Sequence, residues 1–225
     1  MVRAVDESSL LPLGGIGVYP FSDVVNSELE LRAAMGEPHS SVVTKTINIL
    51  DKHCRVYISR SPFLLIASSD GQGHFDVSPK GDPPGFVSIL DDHTLVIPER
   101  LGNKRADTFN NVLSNPSVGL IFLIPGKRET LRISGKARII RDADVLDRMS
   151  VKGRAPQFGL AVHVEEAFFH CAKCIVRSKL WSPAEWPYTE GLPSLAQTMV
   201  DGGKLEMPVE EMQEGIEQDE AERLY

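Results

Sequence analysis

The chain has 225 residues, of which 42% are hydrophobic and 24% are charged, and its net charge is −7 at pH 7. This composition is typical of a soluble globular protein with one large domain or one domain plus appendages. The negative charge argues against nucleic acid as the main partner, because duplex binding depends on a basic surface. No apolar run approaches the roughly 20 residues that span a bilayer, and the N-terminus lacks the apolar core of a signal peptide. We therefore expect a cytoplasmic protein without membrane association.

The N-terminal quarter of the sequence predicts an arm followed by helices. Residues 1–26 are rich in Gly and Pro and are interpreted as the arm. Ser27 and Glu30 form a capping box, so a short helix is expected to begin there and to end at Gly36. A second helix is predicted from about Ser40 to the residues before Pro62, because apolar side chains recur at spacings of three and four, at Val43, Ile47, Leu50, Cys54 and Ile58.

From residue 63 onward the pattern favours strands. Short apolar or alternating segments are separated by turn residues, as in "FLLIASS", "HFDVS", "TLVIP" and "VGLIFLIP". The clearest alternation covers 130–139, and "GLAVHVE" alternates again near the end. We predict a mainly β fold of six antiparallel strands with flanking helices, one of them inserted after the fourth strand, in a closed or partly closed barrel. The acidic tail from residue 206 onward is expected to be a loose helix or disordered.

The segment "RLGNKRADTFNNVLSNP", residues 100–116, predicts the inserted helix and an anion site at its start. Asn103 is a suitable N-cap, and Phe109 and Val112 give the helix an apolar face. Lys104 and Arg105 add positive charge to the positive end of the helix, which is unfavourable unless an anion such as a phosphate balances it. The alternative interpretation is a solvated Lys-Arg pair on a surface turn.

A second segment, "FDVSPKGDPPGF" at residues 75–86, supports the phosphate hypothesis. Val77 and Ser78 can present main-chain amides and a hydroxyl to a flat ligand, and Lys80 can add a third cation. The alternative is a plain turn, because proline and glycine punctuate the segment.

These motifs, together with "ETLRISGKARI" and "HCAKCIVRSKLW", appear in an order that closely resembles the pyridoxamine 5′-phosphate oxidase-like flavoproteins. The resemblance covers residues 27–187. It implies the FMN-binding split-barrel fold for residues 27–190, between the arm and an acidic tail at 191–225. It also implies a homodimer that binds FMN in a cleft at the subunit interface, with residues from both chains, and a small-molecule substrate.

Carried over by position, the resemblance assigns most of the site. Lys104 and Arg105 would hold the phosphate, and Trp181 and Arg177 would approach the cofactor from the partner chain. Arg100 and Asn103 are added from their spacing. The complete expected cofactor set is Asp76, Val77, Ser78, Lys80, Ile97, Pro98, Arg100, Asn103, Lys104, Arg105, Thr130, Arg177 and Trp181.

The implied activity is an FMN-dependent oxidoreductase of unknown substrate, with no residue identified as a catalytic acid or base. Family members that oxidise pyridoxamine phosphate grip the substrate with a Tyr, an Arg and a Ser, and residues 144–162 contain no tyrosine. Vitamin B6 oxidation is therefore not expected. Two alternatives stay open: a non-catalytic flavin- or haem-binding module, and a reductase that uses the deazaflavin F420. The C-x-x-C pair Cys171 and Cys174 lacks a second ligand pair, so no metal site is predicted.

Overall fold

The computed structural model describes Phe21 and residues 23–225. They belong to two compact units, one extending through Val43 and one formed by Thr44–Tyr225. The predicted arm falls mostly outside the described residues, and the predicted boundaries after residues 26 and 190 stay predictions. The helices are α1 Glu28–Met35, α2 Ser40–Thr44, α3 Lys52–Arg60, α4 Asp107–Ser114, α5 Ala143–Leu146, α6 Lys173–Ser178, α7 Leu195–Gly203 and α8 Val209–Arg223.

The capping box predicted for α1 is confirmed. Ser27 Oγ accepts a hydrogen bond from the Glu30 amide at 3.2 Å. Glu30 Oε2 in turn accepts from the Asn26 amide at 3.0 Å, one residue before the expected partner. Gly36 ends the helix with a φ of 73°, a left-handed conformation that glycine adopts without steric cost.

The single helix predicted from Ser40 onward was wrong, because the chain forms two helices with a non-helical stretch between them. The stretch forms a β-bridge between Ile47 and Ala167. Asp51 then starts α3, where its carboxylate accepts from the amides of His53 and Cys54 at 3.0 and 2.8 Å. An Asp followed by an apolar periodic segment is an N-cap signal, and the run of helical spacings across residues 43–58 concealed it.

The strands form one antiparallel sheet in the order β2-β1-β5-β6-β7-β4-β3. The strands are β1 Phe63–Ser69, β2 Phe75–Gly81, β3 Ser88–Ile89, β4 Thr94–Pro98, β5 Ser117–Leu123, β6 Thr130–Ile140 and β7 Gly159–His170. The predicted mainly β, antiparallel fold with flanking helices is confirmed. The sheet has seven strands rather than six, and it is not closed, because β2 and β3 are its edges.

The core lies on one face of the curved sheet. On β6, Leu131, Ile133 and Ala137 are buried and the residues between them are more exposed, as the alternation predicted. β4 is buried on both faces, because Val96 packs against Leu146 and Met149 on the face opposite the main core. The C-terminal end of β4 is therefore held rigidly, and the loops that follow β2 and β4 border the cleft described next.

Candidate functional site

A cleft of about 790 Å³ lies within the second unit, where β2 and β4 end. The segment 98–104, the start of α4, the loop 154–158 before β7, and Arg223 and Tyr225 also line it. The Glu99 amide donates to the Phe158 carbonyl at 3.0 Å and joins the loop after β4 to the loop before β7. The cleft volume is within the range of small-molecule sites, about 300–1,000 Å³.

Hydrogen bonds between hydroxyls and a carboxylate fix β2 against α4 beside the cleft. Ser78 Oγ donates to Asp76 Oδ2 at 2.8 Å, and Thr108 Oγ1 lies 3.0 Å from the same oxygen. Thr108 is only 4% exposed, so this contact ties the first turn of α4 to β2. Thr108 Oγ1 also lies 3.1 Å from Ser78 Oγ, so the Ser78 hydroxyl that we expected to contact a ligand is hydrogen-bonded within the protein.

Two of the cleft's cations are held by carboxylates of the same chain. Lys80 Nζ lies 2.8 Å from Glu99 Oε2. Arg100 Nε lies 2.6 Å from Asp82 Oδ2, and the Asp82 side chain is only 1% exposed. The Asp82 amide donates to the Pro62 carbonyl, which anchors the loop after β2 to the start of β1. These contacts orient the cations before any ligand is present.

The helix α4 begins later than predicted. Asn103 does not cap it; instead Asn103 Oδ1 accepts from the Arg105 amide at 3.0 Å and closes a turn. Lys104 and Ala106 have φ values of 61° and 58°, a left-handed conformation that interrupts the helix before Asp107. Lys104 and Arg105 therefore lie before the first helical turn.

Arg105 has an acidic partner of its own. Its Nε lies 2.7 Å from Asp107 Oδ2, and both side chains are largely exposed. The hydrogen bond and the charge of Asp107 raise the pKa of Arg105. Asp107 also supplies the negative charge expected in a first helical turn. Lys104, by contrast, forms no ion pair with any other residue that the structure describes.

The structure brings about half of the predicted cofactor residues to the cleft. Those that line it are Ser78, Lys80, Pro98, Arg100, Asn103 and Lys104. Asp76 stands behind Ser78, Val77 is 60% exposed on an edge strand, and Ile97 is 2% exposed in the core. Arg105 does not line the cleft.

The three predicted residues from the later part of the chain also lie outside the cleft of their own chain. Thr130 is 8% exposed on β6. Arg177 is exposed on α6. Trp181 Nε1 donates to the Lys127 carbonyl at 2.7 Å. Their expected contact with a cofactor in the partner subunit stays a prediction.

Sequence reasoning missed several cleft residues. Phe109 and Phe158 pack edge to face with ring centroids 5.9 Å apart and form an apolar wall. Arg154 adds a cation from the loop before β7, and Tyr225 enters from the C-terminal segment. The basic, glycine-containing run 152–154 was a signal for Arg154, whereas nothing local in the tail points to the cleft.

The described residues contain neither a metal-ion site nor a membrane-spanning helix. No group of three or more His, Cys, Asp or Glu side chains among them is arranged to hold a metal ion. Within the same residues, no helix combines the length and apolar character needed to cross a membrane.

The family model described as "Pyridoxamine 5'-phosphate oxidase" matches residues 50–171. No curated protein matches the chain significantly. Among solved structures, the chain is similar to HupZ of Group A Streptococcus, with 17% identity over 54% of this chain and 94% of that one and a TM-score of 0.45.

Two further solved structures are similar at a lower level. An FMN-binding protein of Syntrophomonas wolfei is 9% identical over 51% of this chain and 86% of that one, with a TM-score of 0.38. HutZ, a haem storage protein of Vibrio cholerae, is 15% identical over 54% and 94% of the two chains, with a TM-score of 0.38.

Proposed function

Because the chain belongs to the pyridoxamine 5′-phosphate oxidase family, we propose that it is a flavoprotein that binds FMN in the cleft and acts as an oxidoreductase. The family match includes the strands β2 and β4 and the loop between β4 and α4, which together provide most of the cleft's polar side chains.

The observation that carries the proposal is the charge of the cleft. Five cationic side chains and the carboxylate of Glu99 line it. Asp82 and Asp219, outside the lining, pair with two of the five cations, so a smaller positive excess remains although the whole protein has a net charge of −7. The cationic residues are Lys80, Arg100, Lys104, Arg154 and Arg223. A local excess of positive charge in an acidic protein attracts a small anion, and the phosphate of FMN is such a group.

The residues present fit the rest of the cofactor as well. Phe86, Phe109 and Phe158 line the cleft and offer apolar surface to a ring system. Lys80, Arg100 and Lys104 would neutralise the phosphate. When bound, FMN supplies the hydride and electron transfer. This chain's own residues bind it, orient it and limit the access of water.

Pyridoxamine phosphate is not part of the proposal as substrate. The stretch 144–162, where substrate-gripping side chains would be expected, contains no tyrosine. The cleft nevertheless has Arg154 from this stretch, so an anionic substrate group beside the flavin is compatible with its charge.

The first test compares the binding of FMN and riboflavin, which differ only in the phosphate. We expect purified protein to bind FMN at least about tenfold more tightly than riboflavin, since one charge-assisted hydrogen bond contributes about 1.5–3 kcal/mol. Equal affinity for both would refute a phosphate site. A Soret band in the purified protein would favour haem, and binding of the deazaflavin F420 without FMN would favour the F420 alternative.

The second test assigns the phosphate. Lys104→Ala should weaken FMN binding about 10- to 100-fold and leave riboflavin binding unchanged, because Lys104 lines the cleft and has no ion-pair partner among the described residues. Arg105→Ala tests the other predicted phosphate ligand. Lys173→Ala is the matched control, because Lys173 is exposed on α6 and does not line the cleft.

We also propose that the protein is a homodimer in which Trp181 and Arg177 reach the partner's cofactor. Their position outside the cleft of their own chain supports a contribution in trans. Dilution that separates the subunits should then release FMN. Sedimentation with absorbance detection at a flavin wavelength would measure whether FMN stays with the protein. A monomer that retains its flavin would contradict the dimeric site.

A further inference from the structure

The C-terminal segment reaches the candidate cleft. Residues 209–225, here called the strap, comprise α8 and the two residues after it, and Arg223 and Tyr225 line the cleft. α8 packs against α7, and none of its residues is buried. Because burial of apolar surface is the main favourable term in packing, the strap is held weakly along its length, and the contacts of its end decide where it stays.

Those end contacts converge on Tyr225. Its phenol donates to Asp82 Oδ1 at 2.8 Å, and its main-chain oxygen accepts from Arg154 Nη1 at 2.5 Å. The ring centroid lies 6.0 Å from Arg100 Cζ and 5.1 Å from Lys152 Nζ. Tyr225 thus contacts Arg100 and Arg154, two of the cations that line the cleft. It also contacts Asp82, the carboxylate that orients Arg100.

The charge of the strap matches this placement. Residues 209–225 contain seven acidic side chains and one arginine. The cleft beside them has an excess of cations. The strap reaches the cleft through Arg223 and Tyr225, and its acidic side chains do not line the cleft, so their charge favours docking only at longer range.

We propose that the strap is an intramolecular competitor of the cofactor, and that Tyr225 leaves Arg100 and Arg154 when a phosphate-bearing ligand enters the cleft. This inference rests on the proposed function, because it requires FMN or a similar anion in the same cleft. With the strap docked, Tyr225 contacts Arg100 and Arg154 at the edge of the cleft; with the strap released, both cations lose these contacts and can bind a ligand.

The consequence is an affinity that depends on the strap. A ligand that binds only the released state has an apparent Kd equal to the intrinsic Kd divided by the released fraction. Docking depends on the hydrogen bond from Tyr225 to Asp82, the one from Arg154 to Tyr225 and two contacts of the ring with cations. We therefore expect the docked state to be about ten times more populated than the released state. Removing the Tyr225 side chain eliminates these contacts except the one from Arg154 to the main-chain oxygen, so it should tighten FMN binding by up to about tenfold.

The test is an FMN titration by calorimetry of the full-length protein, Tyr225→Ala and Tyr225→Phe. Tyr225→Phe removes only the hydrogen bond to Asp82 and should tighten binding by a smaller factor than Tyr225→Ala. Tyr188→Ala is the matched control, because Tyr188 is 96% exposed. Hydrogen exchange of peptides from 209–225, measured with and without saturating FMN, follows release of the strap directly.

Tighter binding by Tyr225→Ala, an unchanged affinity in Tyr188→Ala and faster exchange of the strap on FMN binding would support the proposal. Equal or weaker binding by Tyr225→Ala would overturn it, while FMN binding itself would stand. If neither the wild-type protein nor any variant binds FMN, the proposed function is refuted, and the competition proposed for the strap is refuted with it.

Discussion

Replacement of Arg100 by methionine should destabilise the protein strongly. Arg100 Nε lies 2.6 Å from Asp82 Oδ2, with 17% of the Arg100 side chain and 1% of the Asp82 side chain exposed. Methionine retains an unbranched side chain but removes the positive charge. Asp82 would then keep the Tyr225 phenol at 2.8 Å as a side-chain hydrogen-bond donor, and its buried charge would lack a cation.

The expected magnitude follows from the burial of the carboxylate. Breaking a buried ion pair from one side costs about 3–5 kcal/mol, because the remaining charge is left uncompensated. With a urea m-value of about 2–3 kcal/mol per molar, the unfolding midpoint should fall by about 1–2 M. Urea unfolding of cofactor-free protein at pH 7, followed by circular dichroism, measures this shift.

The matched control is Arg105→Met, which breaks the exposed ion pair with Asp107. Exposed pairs contribute about 0–1 kcal/mol, so its midpoint should stay close to that of the wild type. The double variant Asp82→Leu/Arg100→Met should recover most of the loss, because it leaves no buried charge. Equal shifts for Arg100→Met and Arg105→Met would refute the reasoning from burial.

Two further changes test the fold. Gly135→Ala should destabilise the protein by at least about 3 kcal/mol, because an added Cβ would lie 1.9 Å from the His163 carbonyl oxygen at the β-bulge. Denaturant unfolding measures this loss. Gly119→Ala is the control, because a Cβ added at Gly119 would have no atom within 4 Å. Asp51→Ala removes the N-cap of α3 and should cost about 1 kcal/mol at pH 7. Burial acts to raise the pKa of Asp51, but hydrogen bonds from Cys54 and the amide of His53 lower it below 3.8 overall. The charge-dependent part of this stabilisation should therefore be complete above pH 3.8 and disappear as the pH falls through the lower folded pKa. Denaturant unfolding of the wild type and Asp51→Ala at several pH values measures this difference in stability. A difference that stays constant across that pH range would contradict the role of the charge.

The strands could be predicted because alternation along one strand reports burial directly. Leu131, Ile133 and Ala137 lie two or four residues apart and face the core together, as expected. The helix predicted from Ser40 onward failed for the opposite reason. Its apolar spacing was helical, but Ile47 pairs with Ala167, a partner 120 residues later in the chain that local periodicity cannot indicate.

The candidate site could be predicted in part. Lys80, Arg100 and Lys104 were identified from two short motifs, and the structure places all three at one cleft. The start of α4 was misplaced because the left-handed conformation of Lys104 and Ala106 is unusual for residues other than glycine, so the sequence offers no warning of it.

The amino-acid sequence by itself determined the strand segments and the cation-rich turn after β4, because each depends on residues close together in the chain. It also identified the family, from the order of several such segments. Only the tertiary structure decided which carboxylate holds Arg100 and which residues of the C-terminal segment line the cleft. The hydrogen bond from Tyr225 to Asp82 joins residues 143 positions apart. Such a contact depends on where α8 places the last residues relative to the loop after β2. It forms between residues that are close in the folded protein but far apart in the sequence, so local sequence patterns cannot predict it.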